Sequence, residues 1–262
     1  MKLSANKLRQ HVLKMVYEKQ SGHIGGSFSL AEIVAYLYSN YDIASSKIGT
    51  SKLILSKGHA VPVLYAALYE LGILDDSNMA LFREIDSPLQ GHPDKLRLPY
   101  MHATTGSLGQ GLSIAIGHAL AMKLKKLEKN CFCIIGDGEM QEGQIWEAFM
   151  LAPKFKLDNL VCFIDSNKSQ NDGLVKDILS LDPVINKIES FNWECLEIDG
   201  NSLEEIDRVM KNLKSNSKPK CIILNTIKSL RPDLIILYIH LPYLPHTRAF
   251  NALYKFIVLT NL

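Results

Sequence analysis

Residues 136–173 read GDGEMQEGQIWEAFMLAPKFKLDNLVCFIDSNKSQNDG, and the order of elements in this stretch decides the fold. The apolar run 131–135 (CFCII) leads into Gly136-Asp137-Gly138, where two glycines let the backbone turn sharply and approach a ligand closely. A helix is expected over 143–153, with Ile145 and Phe149 on its apolar side and Pro153 as its stop, which sets Asp137 beside a helix start that favours anions. Residues 160–164 (LVCFI) form a second buried strand, and Asn167 follows its C-terminal end. Ligands of an open parallel sheet sit at those strand ends. Asp137 and Asn167 then face each other from neighbouring strands and offer a carboxylate and an amide oxygen, donors suited to Mg²⁺ or Ca²⁺. Mg²⁺ takes about six oxygens, so a backbone carbonyl, a water and two phosphate oxygens complete the set.

Working outward, helices are expected over 5–19, 30–39, 60–71 and 108–127, the last with the stripe Leu108, Leu112, Ile116, Leu120 and Leu124. Beyond the motif come a helix over 183–190, a strand over 193–198, a helix to about residue 213 opened by a Ser202/Glu205 capping box, and a strand over 221–225. This alternation predicts an α/β fold with a doubly wound, mostly parallel sheet flanked by helices.

With 262 residues, 47% of them apolar and 21% charged, the chain can bury one sizeable core. A net charge of +2 gives no reason to expect nucleic acid or an acidic membrane as partner. Five cysteines without metal-ligand spacing fit a reducing compartment, with Cys131 and Cys133 as strand thiols. The N-terminal stretch KLSANKLRQHVLKMVYEKQ has no signal-peptide core and reads as an amphipathic helix, so a cytoplasmic protein is expected.

The Gly-Asp-Gly turn, with an asparagine 30 positions later, resembles the thiamine diphosphate motif, and QEG at 141–143 narrows the resemblance to transketolases. Four further segments match that family in order: GHIGGSFSLAE (22–32), LSKGHA (55–60), GHPD (91–94) and TTGSLGQG (104–111). The match runs over roughly residues 5–228. It implies the thiamine diphosphate-binding fold, with residues 1–228 as the diphosphate-binding domain.

The resemblance also implies roles. Asp137, Asn167 and Ser169 hold Mg²⁺ or Ca²⁺, with Gly138 beside the cofactor; His59 contacts the diphosphate. Gly106 offers its backbone oxygen to the aminopyrimidine and Leu108 touches the thiazolium. His23 and His92 bind the donor sugar and help proton transfer at its carbonyl, work suited to an unperturbed pKa of about 6.5. Glu142 joins a hydrogen-bond network at the subunit interface. Lys57 is read as a solvated lysine, and His11, His102 and His118 as structural. A full transketolase continues into pyrimidine-binding and C-terminal domains, so the resemblance implies a companion subunit that carries them, in a dimer of heterodimers (a heterotetramer). The activity implied is ketol transfer between ketose and aldose phosphates, in pentose phosphate metabolism. The alternatives are deoxyxylulose phosphate synthesis and a non-catalytic chain that only binds the cofactor. After Lys228 the pattern changes, and 229–262 is expected to be a divergent tail, from a frame change near Lys228; its apolar run 234–244 is too short to cross a bilayer.

Overall fold

The computed structural model describes residues 2–227; the tail 229–262 and the pattern change at Lys228 lie outside the described residues. Helices α1 (Ala5–Lys19), α2 (Ile24–Phe28) and α3 (Ala31–Asn40) precede strand β1 (Lys52–Leu55), after which come α4 (Pro62–Glu70), α5 (Asp76–Met79) and α6 (Gln110–Leu124). Strand β2 (Cys131–Gly136), α7 (Gly143–Leu151) and β3 (Leu160–Ser166) form the motif region. A small hairpin, β4 (Ser169–Gln170) with β5 (Gly173–Leu174), is followed by α8 (Val175–Leu179), α9 (Val184–Ser190), β6 (Glu194–Asp199), α10 (Leu203–Asn212) and β7 (Lys220–Asn225).

The main sheet runs β1-β2-β3-β7-β6 with every pair parallel. Successive side chains of a strand point to opposite faces, and here each face meets its own helical layer. Phe132, Ile134, Val161, Phe163, Ile222 and Leu224 pack with α1, α3, α4 and α10; Cys131, Cys133, Ile135, Cys162, Ile164 and Ile223 pack with α6, α7 and α9. That is the doubly wound arrangement expected from the alternating pattern. Cys133, Cys162, Cys221 and Cys195 stand in register across β2, β3, β7 and β6, all as free thiols. The first three are buried and fill the space as small apolar groups.

Several local expectations change. Strand β1 and the short helices α2 and α5 carry no clear period and were not anticipated, although the segment directly after β1 brings Lys57 and His59 to the cleft. In α6 the stripe at steps of four fails: Leu112 and Ile116 are buried, but Leu124 is 74% exposed. Four residues rotate a helix by about 400°, so each step drifts about 40° from the starting face. The true buried line is Leu112, Ala115, Ile116, Ala119 and Met122. The capping box at α10 is half formed. Ser202 Oγ accepts the Glu205 N–H at 3.2 Å, but Glu205 Oε2 accepts the Asp199 N–H at 2.9 Å instead of returning to Ser202. Asp137 caps a four-residue 3₁₀ turn, Gly138–Gln141, and α7 starts only at Gly143.

Candidate active-site cleft

The cleft lies where the sequence places it, at the C-terminal ends of the parallel strands. Strand β1 runs out into Lys57 and His59, β2 into Asp137 and Gly138, and β3 into Asn167 and Ser169. Together with His23 at the start of α2, His92, Gly106, Leu108 and Glu142, these residues line a cavity of about 610 Å³. All ten site residues named from the sequence therefore border one space.

Asp137 is held by backbone. Its Oδ1 accepts the Gly138 N–H at 2.8 Å, and its Oδ2 accepts the Lys168 N–H from beyond β3 at 2.6 Å. Burial pushes its carboxyl above the usual range despite these two bonds. The glycines beside it do not take left-handed backbone. Gly138 is instead a close approach, since a Cβ there would stand 2.7 Å from Gln170 Oε1. Asn167 turns its amide nitrogen to Asp165 Oδ2 at 2.9 Å, and its Oδ1 accepts the Ser169 N–H at 3.1 Å.

The histidines are mutually placed. The rings of His23 and His59 lie 5.2 Å apart, tilted by 57°. Gly26 permits the crowding beneath them: a Cβ there would meet His59 Nε2 at 3.3 Å and Lys57 Nζ at 3.4 Å. His92 lies against Gly106, whose added Cβ would stand 3.1 Å from the ring. Partial burial, and then the Arg83 guanidinium, hold the His92 imidazole below its ordinary pKa, so it is a neutral donor or acceptor at pH 7. Glu142 occupies the N-cap position of α7 and borders the cleft.

The three histidines stand around the end of a cleft whose floor is a carboxylate held by two amides, and residues 1–231 match the family model for the transketolase thiamine diphosphate binding domain. The chain belongs to the transketolase family. It is 41% identical over 229 residues to a 6-deoxy-6-sulfo-D-fructose transketolase subunit from Clostridium sp. (strain MSTE9), covering 86% of this chain and 83% of that one. It is 34% identical to an apulose-4-phosphate transketolase subunit from Phocaeicola vulgatus, covering 87% and 83%. The solved transketolase of Campylobacter jejuni superposes with a TM-score of 0.78 at 33% identity, over 85% of this chain but 37% of that one. This transketolase chain thus matches relatives named as subunits over most of their length, and a full-length enzyme over about a third of its length.

Two buried acids that organise the transketolase cleft escaped the sequence reading. Asp165, fully buried at the end of β3, receives Lys57 Nζ and Ser29 Oγ on one oxygen, the latter at 2.6 Å, and Thr226 Oγ1 on the other. Burial alone would raise its carboxyl, but the Lys57 charge and the hydrogen bonds outweigh burial and hold it below the usual range. Lys57 is correspondingly not a solvated lysine: it is 2% exposed, because its partner lies inside the fold. Glu139 is the second acid. Its Oε1 accepts Ser56 Oγ at 2.5 Å and the Gly109 N–H at 2.9 Å, while Oε2 accepts the Gly136 N–H at 3.0 Å. It ties the ends of β1 and β2 to the start of α6, and burial pushes its carboxyl up. The available signal was an acid within or directly after an apolar strand, because a buried charge requires a partner.

His102 and His118 lie away from the cleft, as expected. His102 Nδ1 accepts the Leu53 N–H at 2.9 Å, so its Nε2 carries the proton and faces Ser45 O at 3.2 Å. Burial draws its pKa down to about 4.

Proposed function

We propose that this chain is the diphosphate-binding subunit of a two-chain transketolase, moving a two-carbon ketol unit from a ketose to an aldose with a companion subunit. The observation that carries the reading is the convergence of His23, His59, His92, Asp137, Asn167 and Glu142 on one cleft. Residues 1–228 act as one diphosphate-binding domain, and 229–262 as a separate tail.

The donor chemistry fits a hard cation. Among the described residues no three His, Cys, Asp or Glu side chains group closely enough to hold a metal. A cation here therefore relies on the Asp137 carboxylate, the Asn167 amide oxygen, a Ser169 backbone oxygen and ligand phosphates, a set of the kind Mg²⁺ uses, with Ca²⁺ also accepted. A carboxyl raised by burial gains from a neighbouring cation. When bound, thiamine diphosphate supplies a carbon nucleophile and an electron sink for cleaving the bond next to a ketose carbonyl. Asp137, Asn167 and Ser169 anchor its anionic end through the metal, and Gly138 lets it approach. His59 hydrogen-bonds the diphosphate. Gly106 and Leu108 border the rings. His23 and His92 bind the sugar hydroxyls and carry a proton to or from the carbonyl oxygen, for which a neutral imidazole is suited. Glu142 meets the companion chain.

The two subunit relatives are named for a sulfonated ketose and a ketose phosphate. We read the substrates here as sugars with an anionic terminus, sugar phosphates of pentose phosphate metabolism among them. The companion contributes the pyrimidine-binding and C-terminal domains, in a dimer of heterodimers. Among the described residues no helix is long and apolar enough to cross a membrane, and we place the enzyme in the cytoplasm without nucleic acid or membrane partners. Mixing the purified chain with its companion, thiamine diphosphate and Mg²⁺ should start ketol transfer that neither chain performs alone. Cofactor binding without turnover in the mixture would instead support the non-catalytic reading.

A further inference from the structure

At the opposite end of β1 from the cleft lies a second cavity, of about 250 Å³, bounded by residues of the 46–52 segment, by Lys95 and Pro99, by the side of α6 that carries His118, and by Lys125 directly after that helix. β1 spans four residues, about 13 Å of strand, so the two cavities are distinct and share no lining residue. Lys47, Lys52, Lys95 and Lys125 line the second cavity together with His102 and His118, and no Asp or Glu does. Among the described residues none of these four lysines enters an ion pair.

Lys52 donates from Nζ to Lys47 O and Thr50 Oγ1, each at 3.0 Å and each neutral. Asp42 is an acid whose charge reaches Lys52, but Lys129 at 2.6 Å and the Ser51 N–H at 2.9 Å already occupy it. The cations also act on one another. Burial and then the Lys95 charge lower Lys52, and burial followed by Lys95 and Lys52 lowers His118. Positive charges that destabilise each other in a partly desolvated recess form a field that an anion relieves. His102 uses both ring nitrogens within the fold and so belongs to the wall.

We propose that this cavity is a second anion site, taking the phosphate group of inorganic phosphate or of a small phosphate monoester. Lysines brought to one cavity by three separate segments suit a tetrahedral anion better than a planar carboxylate, for which a guanidinium fork is the matched donor. The volume is below the roughly 300–1,000 Å³ of ordinary small-molecule pockets, which fits phosphate or a three-carbon ester and excludes a nucleotide. The site does not depend on the cofactor reading of the cleft.

Calorimetric titration of the full chain at low ionic strength with inorganic phosphate, and separately with glycerol 3-phosphate, tests it. Three proteins are compared: wild type, Lys95→Gln/Lys125→Gln, and the cleft variant His59→Gln. Both altered lysines are exposed, so the double variant keeps the fold, which circular dichroism checks. Wild type and His59→Gln should bind alike, the double variant at least tenfold more weakly, and added salt should weaken all three. Tighter binding of glycerol 3-phosphate assigns the site to an ester, and equal binding assigns it to free phosphate. Unchanged affinity in the double variant, loss only in His59→Gln, or no binding of either anion at millimolar concentration overturns the proposal.

Discussion

Replacing Lys57 by Met removes the positive half of a pair that is 2% exposed at the lysine and fully buried at Asp165. The carboxylate keeps its bonds from Ser29 Oγ at 2.6 Å, Asn167 Nδ2 at 2.9 Å and Thr226 Oγ1, but no counter-charge remains. Stripping one partner from a buried pair costs about 3–5 kcal/mol, since the remaining charge is desolvated without compensation. With an m-value of about 3 kcal/mol/M in urea, the unfolding midpoint should fall by roughly 1–1.7 M at neutral pH. The pH profile should change sign as well. In the wild type Asp165 titrates below its unfolded value, so its contribution is present above the unfolded pKa and is lost as pH falls through the folded one. In Lys57→Met the ionised carboxyl is disfavoured, its pKa rises, and stability increases as pH falls through that raised value toward the unfolded one. The double variant Lys57→Met/Asp165→Asn removes the orphaned charge, with the new amide oxygen accepting from one hydroxyl and its NH2 donating to the other, and should regain most of the loss. A midpoint shift of Lys57→Met worth less than about 1 kcal/mol, the range of exposed pairs, would refute the reasoning that this lysine is a buried structural cation.

Asp137→Ala should abolish Mg²⁺-dependent binding of thiamine diphosphate, read by calorimetry with and without chelator; undiminished metal-dependent affinity removes Asp137 from the metal site. His102 titrates at about 4 in the fold against 6.5 unfolded, so its neutral form contributes above pH 6.5 and that contribution is lost as pH falls toward 4. Across this window the wild type should lose roughly 3 kcal/mol more than His102→Gln in urea titrations; parallel profiles would contradict the assignment. Gly111→Ala forces a Cβ within 2.4 Å of Ser56 Cβ and 2.6 Å of Ser56 Cα, so α6 must lift from the end of β1. A loss of about 1–3 kcal/mol or more is expected from such overpacking, and an unchanged thermal midpoint would show that the helix moves freely.

Much of the cleft was legible because its residues sit in short segments tied to strand ends. Asp137 and Asn167 follow apolar runs, and strands β2 and β3 pair in parallel from Cys131 with Leu160 onward, which brings those ends side by side. The resemblance supplied His23, His59, His92, Gly106 and Leu108, whose positions no periodicity could single out. The failures have physical causes. A helical stripe counted in fours drifts off its face, as Leu124 shows, and β1 is four residues long, too short to carry a recognisable period.

By itself, then, the sequence determined the layered parallel fold and the placing of Asp137 and Asn167 at the ends of β2 and β3, because both follow from local patterns of apolarity and turn chemistry. Tertiary structure decided the electrostatics. Lys57 and Asp165 are 108 positions apart, and Glu139 meets Ser56 from 83 positions away. Whether a lysine is solvated or buried depends on what packs over it, and that partner is chosen by the placing of β1 and β3 on either side of β2, which no local stretch of sequence contains.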